Sequence, residues 1–379
     1  MRLCRSLNDY PEAVIDAAKS MPTAYPPPHE KVWCIMGNEL FGDGVGKTVS
    51  PELYAADVKK LRNIIDKLYR GNVSRPSLVA PDSFYDKGRK EIPRFLDASG
   101  KSVDVITRHI YNLGPGLTET KDLISKVLNR SYAQNEIVHY KYLQNVLKEH
   151  SKTSAWVGEA GGAYNSGHHE VTDAFIFAFW YLDQLGTAAR YNNQAFCRQS
   201  FVGGFYGLVD ADFNPNPDYY GALLWRQLMG SGVLLVDIHG GVNEIRAYAH
   251  CQRSNNGGLS LLILNYSNST KYLLDLNLLG YSSPGNFTTG EKCQEDECLT
   301  SSKASSSEVR LEYHMSAANG TVTSRIVLLN GQPLLVTPSG EIPTLSPVKV
   351  NSTSPISLAP LTYAYVVIPN ANAPACTTR

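Results

Sequence analysis

Two textures of hydrophobic and polar positions divide the chain at about Gly230. Before it, short apolar runs alternate with longer amphipathic stretches, the rhythm of successive βα units. The clearest helix opens at Ser50: Ser50 suits the N-cap, Pro51 the first helical position, and Val58, Leu61, Ile64, Ile65 and Leu68 recur on one face until Gly71. The same reasoning predicts a helix around Ile137–Leu147, one over Val171–Leu185 before Gly186, and one over Pro217–Met229 before Gly230. Between the helices, strands are predicted at Val32–Met36, Ser77–Ala80, Val103–Ile110, Ser154–Val157 and Ala195–Val202.

Beyond Gly230 no helical period returns. Val233–Ile238, Glu244–Cys251, Ser260–Asn265, Tyr272–Leu278, Val309–Met315, Ser324–Leu329, Pro333–Val336 and Leu361–Ile368 are short, β-branched or alternating, and separated by Gly, Asn, Ser and Pro. Asn330-Gly331 is a hairpin signal. The expected organisation is a βα catalytic domain over residues 1–230 and a β-sandwich domain over residues 231–379.

Composition narrows the classes of function. With 43% hydrophobic and 18% charged residues the chain has the make-up of a folded domain, and 35 Lys and Arg balance 35 Asp and Glu. That neutrality argues against a nucleic-acid partner. The longest apolar runs, such as Ala174–Leu182, are too short to span a bilayer. Met1–Met21 mixes charged and apolar residues and lacks the charged-then-apolar order of a signal peptide. Yet there are seven Asn-x-Ser/Thr sequons, at Asn72, Asn129, Asn265, Asn268, Asn286, Asn319 and Asn351, whose use would make the chain secretory. Of the seven cysteines, Cys293 and Cys298 flank an acidic stretch and could close a small disulfide loop or remain free thiols.

Two glutamates stand out by position. Glu39 follows the strand at Val32–Met36 and precedes a loop containing Gly42, Gly44 and Gly46, and Glu159 follows Ala155-Trp156-Val157-Gly158 and precedes Ala160-Gly161-Gly162. In a βα barrel the carboxyl ends of the strands carry the active site, so both carboxylates would face one mouth from the first and fourth visible strands. Paired carboxylates there suit glycoside hydrolysis, with one protonating the leaving oxygen and the other attacking the anomeric carbon or activating water. Two isolated surface glutamates are the plain alternative. A phosphate loop would need glycine where Phe41 stands, and His169-Glu170 lacks the second histidine of a zinc-protease helix, so neither nucleotide nor metal binding is indicated.

Gly37-Asn38-Glu39 and Trp156-Val157-Gly158-Glu159-Ala160-Gly161-Gly162-Ala163-Tyr164-Asn165-Ser166-Gly167 resemble the acid/base and nucleophile segments of the heparanase family, the β-glucuronidase-type enzymes of glycoside hydrolase family 79. His109-Ile110-Tyr111-Asn112-Leu113-Gly114, Cys197-Arg198-Gln199 and Asn216-Pro217-Asp218-Tyr219-Tyr220 extend the resemblance, which is strongest to the plant branch. It implies that Glu39 is the general acid/base and Glu159 the nucleophile of a retaining enzyme. Asn38 would bond the sugar 2-hydroxyl, His109 and Tyr111 would line the pocket and orient the nucleophile, and Tyr164, Gly203, Gly204 and Tyr206 would hold the uronic acid. No cofactor is implied. Arg108 stands where the family usually has a second histidine, a departure that bears on the tuning of the acid.

By the same resemblance the chain corresponds to a TIM-type (β/α)8 barrel lacking its first three strands, followed by a β-sandwich, and a separate N-terminal segment could complete the barrel. The implied substrate is a glucuronide or a glucuronic-acid-containing glycan, met in the secretory pathway: outside the cell, in the cell wall, in a vacuole or lysosome, or peripherally at a membrane. Without long basic clusters, small glucuronides or cell-wall glycans are the expectation rather than heparan sulfate. A non-catalytic carbohydrate-binding or vestigial module is the reading of another class.

Overall fold

A computed structural model describes residues 33–41, 48–71, 75–85, 90–240, 243–254, 257–276 and 309–377. By their contacts they fall into two compact units, the first running to His168 and taking in Gln184–Gly207, the second comprising His169–Asp183 and Leu208–Arg379. This division differs from the boundary drawn at Gly230, for a physical reason: Ala174–Leu182 and the helix before Gly230 are apolar because they serve the core of the second unit. The change of texture marks where helices stop, whereas the second core begins earlier in the chain.

The first unit is built on β1 (Trp33–Ile35), β2 (Ser77–Val79), β3 (Val105–Ile110), β5 (Ser154–Ala160) and β7 (Asn193–Arg198), with the short β4 (Gly114–Pro115) pairing β6 (Ala163–Tyr164). The five longer strands pair in parallel in the order β1-β2-β3-β5-β7, an open arc among the described residues. Between them run α1 (Pro51–Leu68), α2 (Glu91–Ser99), α3 (Thr120–Leu128) and α4 (Arg130–Glu149). α1 begins as its sequence requires, with Ser50 Oγ accepting from the Leu53 N–H at 3.3 Å. Its buried face is Tyr54, Ala55, Val58, Leu61 and Ile65, each contributing about 1.5–3 kcal/mol on burial if large, while Leu68 is exposed.

Alternation along the strands sorts two packing faces. Leu78, Ala80 and Ile106 pack with α1 and α2, whereas Ile35, Val79 and Val105 pack with Trp156 on the opposite face. Arg108, one residue from His109, therefore points to the helix side, where it pairs with Glu136 of α4 at 3.0 Å. Its departure from the family pattern is not at the strand mouth, and it does not reach the acid it was expected to tune.

The second unit contains the start of α5 (Phe177–Arg190), α6 (Pro217–Leu228) and strands β8 (Met229–Leu234), β9 (Ile245–Gln252), β10 (Leu259–Asn265), β11 (Tyr272–Leu274), β12 (Val309–Ala317), β13 (Val327–Leu329), β14 (Gln332–Pro333), β15 (Val348–Asn351), β16 (Ile356–Leu358) and β17 (Thr362–Ile368), then α7 (Pro374–Thr377). Eight of these strands form an antiparallel sheet in the order β14-β13-β12-β17-β10-β9-β8, with β15 also on β12. β11 and β16 pair separately and pack Tyr272, Leu274, Ile356 and Leu358 against Ala249, Leu261, Ala364 and Val366 of the large sheet, making the expected sandwich. The other face meets helices: Tyr365 Oη donates to the Gly221 carbonyl at 2.9 Å and Tyr266 Oη to that of Phe179 at 3.1 Å. The Asn330-Gly331 hairpin forms between β13 and β14, both turn residues having positive φ, at 50° and 81°.

Cys251 of β9 is joined to Cys376 of α7 by a disulfide, the one found among the described residues. The Cys293–Cys298 loop, the Gly42–Gly46 loop and the sequons at Asn72 and Asn286 lie outside the described residues. Asn265 is no open acceptor: it is fully buried, and its amide nitrogen lies 2.9, 3.2 and 2.8 Å from the carbonyls of Thr270, Leu358 and Ala359.

Candidate active site at the carboxyl ends of the parallel strands

Just past β1 the backbone makes a left-handed turn, with Gly37 at φ 78° and Glu39 at φ 54°. Gly37 is required twice over, since a β-carbon there would also stand 2.3 Å from the Tyr54 hydroxyl. The turn is held by the Glu39 N–H, which donates to the Asp82 carbonyl at 2.6 Å, and it carries the Glu39 side chain to the end of β3. There Glu39 Oε1 lies 2.7 Å from His109 Nδ1.

His109 is the centre of the site. Its side chain is fully buried, and its second nitrogen, Nε2, lies 2.9 Å from Asp82 Oδ1 beyond the end of β2. Asp82 is fixed in turn by Thr107 Oγ1 at 2.7 Å. Burial by itself would push the imidazolium pKa down, but the Asp82 and Glu39 carboxylates, reinforced by Glu159, outweigh it and hold His109 up at about 9. Phe84 closes one side, its ring edge-on to those of His109 and Tyr111 at 5.7 and 6.4 Å.

Glu159 lies on β5 in register with His109. Tyr111 Oη donates to Glu159 Oε1, and burial together with that bond pushes the Tyr111 phenol far above its ordinary range. One oxygen or nitrogen from each of Glu39, His109 and Glu159 lies within 4.8 Å of the others. The two His109 nitrogens lie 2.7 and 2.9 Å from carboxylate oxygens, a setting that suits the doubly protonated ring, which has no lone pair for an ion. The trio therefore reads as a proton-handling group beside a second carboxylate rather than as a metal centre.

The structure thus brings Glu39, His109, Tyr111 and Glu159 together. Tyr206 joins their edge: it flanks Gly161 opposite Tyr111, where a β-carbon would stand 2.8 Å from Tyr111 Cε1 and 3.0 Å from Tyr206 Cδ1. Gly203 and Gly204 form a left-handed pair at φ 87° and 66°, and the following Phe205 N–H donates to the Ser166 carbonyl at 2.7 Å, tying the two glycine-rich loops together. Asn38 and Tyr164 are exposed, and neither makes a hydrogen bond to the glutamate pair. Asp82 is the residue that sequence reasoning passed over. Its signal was available: like Glu39 it is a carboxylate a few residues past the end of a parallel strand.

Residues 29–186 match the family model "Glycosyl hydrolase family 79, N-terminal domain". The chain is 42% identical over 350 residues to heparanase-like protein 1 of Arabidopsis thaliana, covering 90% of this chain and 63% of that protein. It is 36% identical over 345 residues to the baicalin-beta-D-glucuronidase of Scutellaria baicalensis, covering 90% of this chain and 59% of that one. The chain accordingly spans less than two thirds of the length of these relatives. Among solved structures, the 4-O-alpha-L-rhamnosyl-beta-D-glucuronidase of Fusarium oxysporum superposes with a TM-score of 0.65 at 15% identity, over 97% of this chain and 76% of that one. At that identity the likeness speaks for the fold: a βα-barrel arc with a β-domain.

Proposed function

We propose, from the match of residues 29–186 to the N-terminal domain of glycosyl hydrolase family 79 and the 42% identity to heparanase-like protein 1, that the chain is a member of that family and hydrolyses β-linked glucuronides with retention of configuration, using Glu39 as acid/base and Glu159 as nucleophile. The observation that carries this reading is the approach of the Glu39 and Glu159 carboxylate oxygens to within 4.8 Å. Retaining glycosidases hold their carboxyl groups about 5–5.5 Å apart, whereas inverting ones leave about 6.5–9.5 Å for a water.

In the first step Glu159 attacks the anomeric carbon while Glu39 gives its proton to the departing glycosidic oxygen, leaving a glycosyl ester on Glu159. In the second, Glu39 takes a proton from water, the water oxygen bonds to the anomeric carbon, and the ester bond to Glu159 breaks. Tyr111, donating to Glu159, keeps the nucleophile aimed. Asn38, exposed beside Glu39, is assigned to the sugar 2-hydroxyl. Tyr164, Tyr206 and the backbone at Gly203 and Gly204 are assigned to the uronic carboxylate.

A neutral chain without long basic clusters favours small glucuronides or cell-wall glycans over polysulfated ones. The disulfide and the exposed sequons at Asn268 and Asn319 favour a secretory location. Among the described residues no helix is long and apolar enough to cross a membrane. No described strand continues the parallel sheet beyond β1, so a polypeptide that adds strands there should raise kcat.

The test is hydrolysis of an aryl β-D-glucuronide followed by proton NMR, with the β-anomer expected as first product and none from Glu159→Gln. An α-anomer first, or undiminished turnover in that variant, overturns the reading. Sugar binding without any turnover would favour the non-catalytic module instead.

A further inference from the structure

We propose that Asp82 is a positioning residue for the acid/base carboxylate: its charge, 2.9 Å from Nε2 of the buried His109 ring, holds that ring with Nδ1 toward Glu39. The inference deepens the proposed function and rests on Glu39 being the acid/base.

Three observations converge on it. First, the two ring nitrogens face two different carboxylates, Nδ1 at 2.7 Å from Glu39 and Nε2 at 2.9 Å from Asp82. A protonated imidazole carries an N–H on each side and can face both groups at once, whichever protonation state Glu39 takes in the cycle. Second, Asp82 is bound to Glu39 by a second route, its carbonyl accepting the Glu39 N–H at 2.6 Å. The three residues close a ring, so a displacement of Asp82 moves the acid from both sides. Third, β5, beyond β3 in the sheet, leaves room for Asp82. A β-carbon on Gly158 would stand 2.3 Å from Asp82 Oδ1 and 2.7 Å from Thr107 Cβ.

The consequence for the reaction follows from charge. When Glu39 gives its proton to the glycosidic oxygen, it becomes a carboxylate a few ångströms from the Glu159 oxygens, in a half-buried site. The His109 cation meets that new charge through Nδ1–H and keeps the proton release favourable. When Glu39 recovers a proton from water, His109 keeps both of its own, so no proton is gained or lost by the ring over the cycle. The groups facing His109 are Asp82 from beyond β2, Glu39 from beyond β1 and Glu159 from β5, with the Tyr111 phenol beside Glu159. Tyr54 and the Cys197 thiol feel the Asp82 charge from the flanks, and Arg108 is turned away to Glu136.

The experiment compares wild type with Asp82→Asn on two glucuronides, one with a dinitrophenolate leaving group that needs no proton and one with an alkyl alcohol that does. The expected result is a loss of about 100-fold in kcat/KM on the alkyl glucuronide, within the range of general acid catalysis, and less than about 3-fold on the dinitrophenyl one. In parallel, the titration midpoint of His109, followed by nitrogen-15 NMR, should fall in Asp82→Asn. Thr107→Val, which loosens Asp82 without removing its charge, should give a smaller loss with the same substrate preference and guards against an unfolded Asn variant. Equal losses on both substrates with an unmoved His109 midpoint would overturn the proposal and leave Asp82 a packing residue. If wild type turns over neither glucuronide, the hydrolase reading falls, while the His109 midpoint still decides the coupling to Asp82.

Discussion

Asp82 Oδ1 occupies the space in which a β-carbon of Gly158 would stand, 2.3 Å away. The glycine next to Glu159 is thus a gap through which a carboxylate from another strand reaches His109. Gly158→Ala adds one methyl group and should push Asp82 and Thr107 aside. Overpacking of this kind costs about 1–3 kcal/mol. The larger effect should be on turnover, a fall of at least about 10-fold, in keeping with the sensitivity of acid/base catalysis to placement. Thermal melting and kcat/KM measured on the same preparation check it.

The pKa of His109 is raised from 6.5 to about 9 in the folded chain. A histidine so shifted binds its proton more tightly folded than unfolded, so its contribution to stability is fully present below pH 6.5 and is lost as pH rises through about 9. Wild type should therefore lose more urea resistance between pH 6.5 and 9.5 than His109→Gln does (bounds set at about the two pKa values). Parallel curves for the two proteins would contradict it.

Cys251 and Cys376 are 125 residues apart, so their bond restricts the unfolded chain over a long span. Chain-entropy scaling gives about 4.7 kcal/mol for a loop of about 100 residues, before any offset from native-state geometry. Replacing both cysteines with alanine should lower the melting temperature by about 5 °C or more. Differential scanning calorimetry with and without reductant should show the same drop in wild type only.

Asn265 spends its amide on three carbonyls and its oxygen on the Ser267 N–H at 2.9 Å. Material from a glycosylating host should be bare at Asn265 by glycopeptide mapping, whatever the occupancy of the exposed Asn268 and Asn319. Asn265→Asp leaves buried carbonyls without a donor and should cost about 1–3 kcal/mol, read as a lower urea midpoint.

The sequence pattern located the four strands that carry the site to within a few residues, because each is a short apolar run bounded by polar loops. Its errors have local causes. Val171–Leu185 looked helical throughout, but the helix starts at Phe177, and Ala195–Val202 looked like strand beyond its end at Arg198. α2 and α3 are nine residues each, too short for their period to stand out. β15 and β16 are four and three residues, and pairing with β12 and β11 rather than propensity makes them strands. At the site, Glu39 and Glu159 were legible from their glycine-rich surroundings. Asp82 carries the same mark, a carboxylate just past a strand end, but its partner His109 on β3 is close only in space. The Cys251–Cys376 bond was hidden for the same reason: proximity in space between distant segments leaves no mark in spacing.

Glu39, Asp82, His109 and Glu159 come from four strands that are neighbours in the sheet, one group from each. No single βα unit owns the chemistry, so turnover measures the lateral cohesion of the sheet itself. A slip of β1 along β2 would draw Glu39 away from His109 while leaving the helices, and hence the far-ultraviolet spectrum, almost unchanged. Activity in such a molecule is a finer gauge of mild denaturation than spectroscopy, and the fall of turnover with urea should run ahead of the loss of ellipticity.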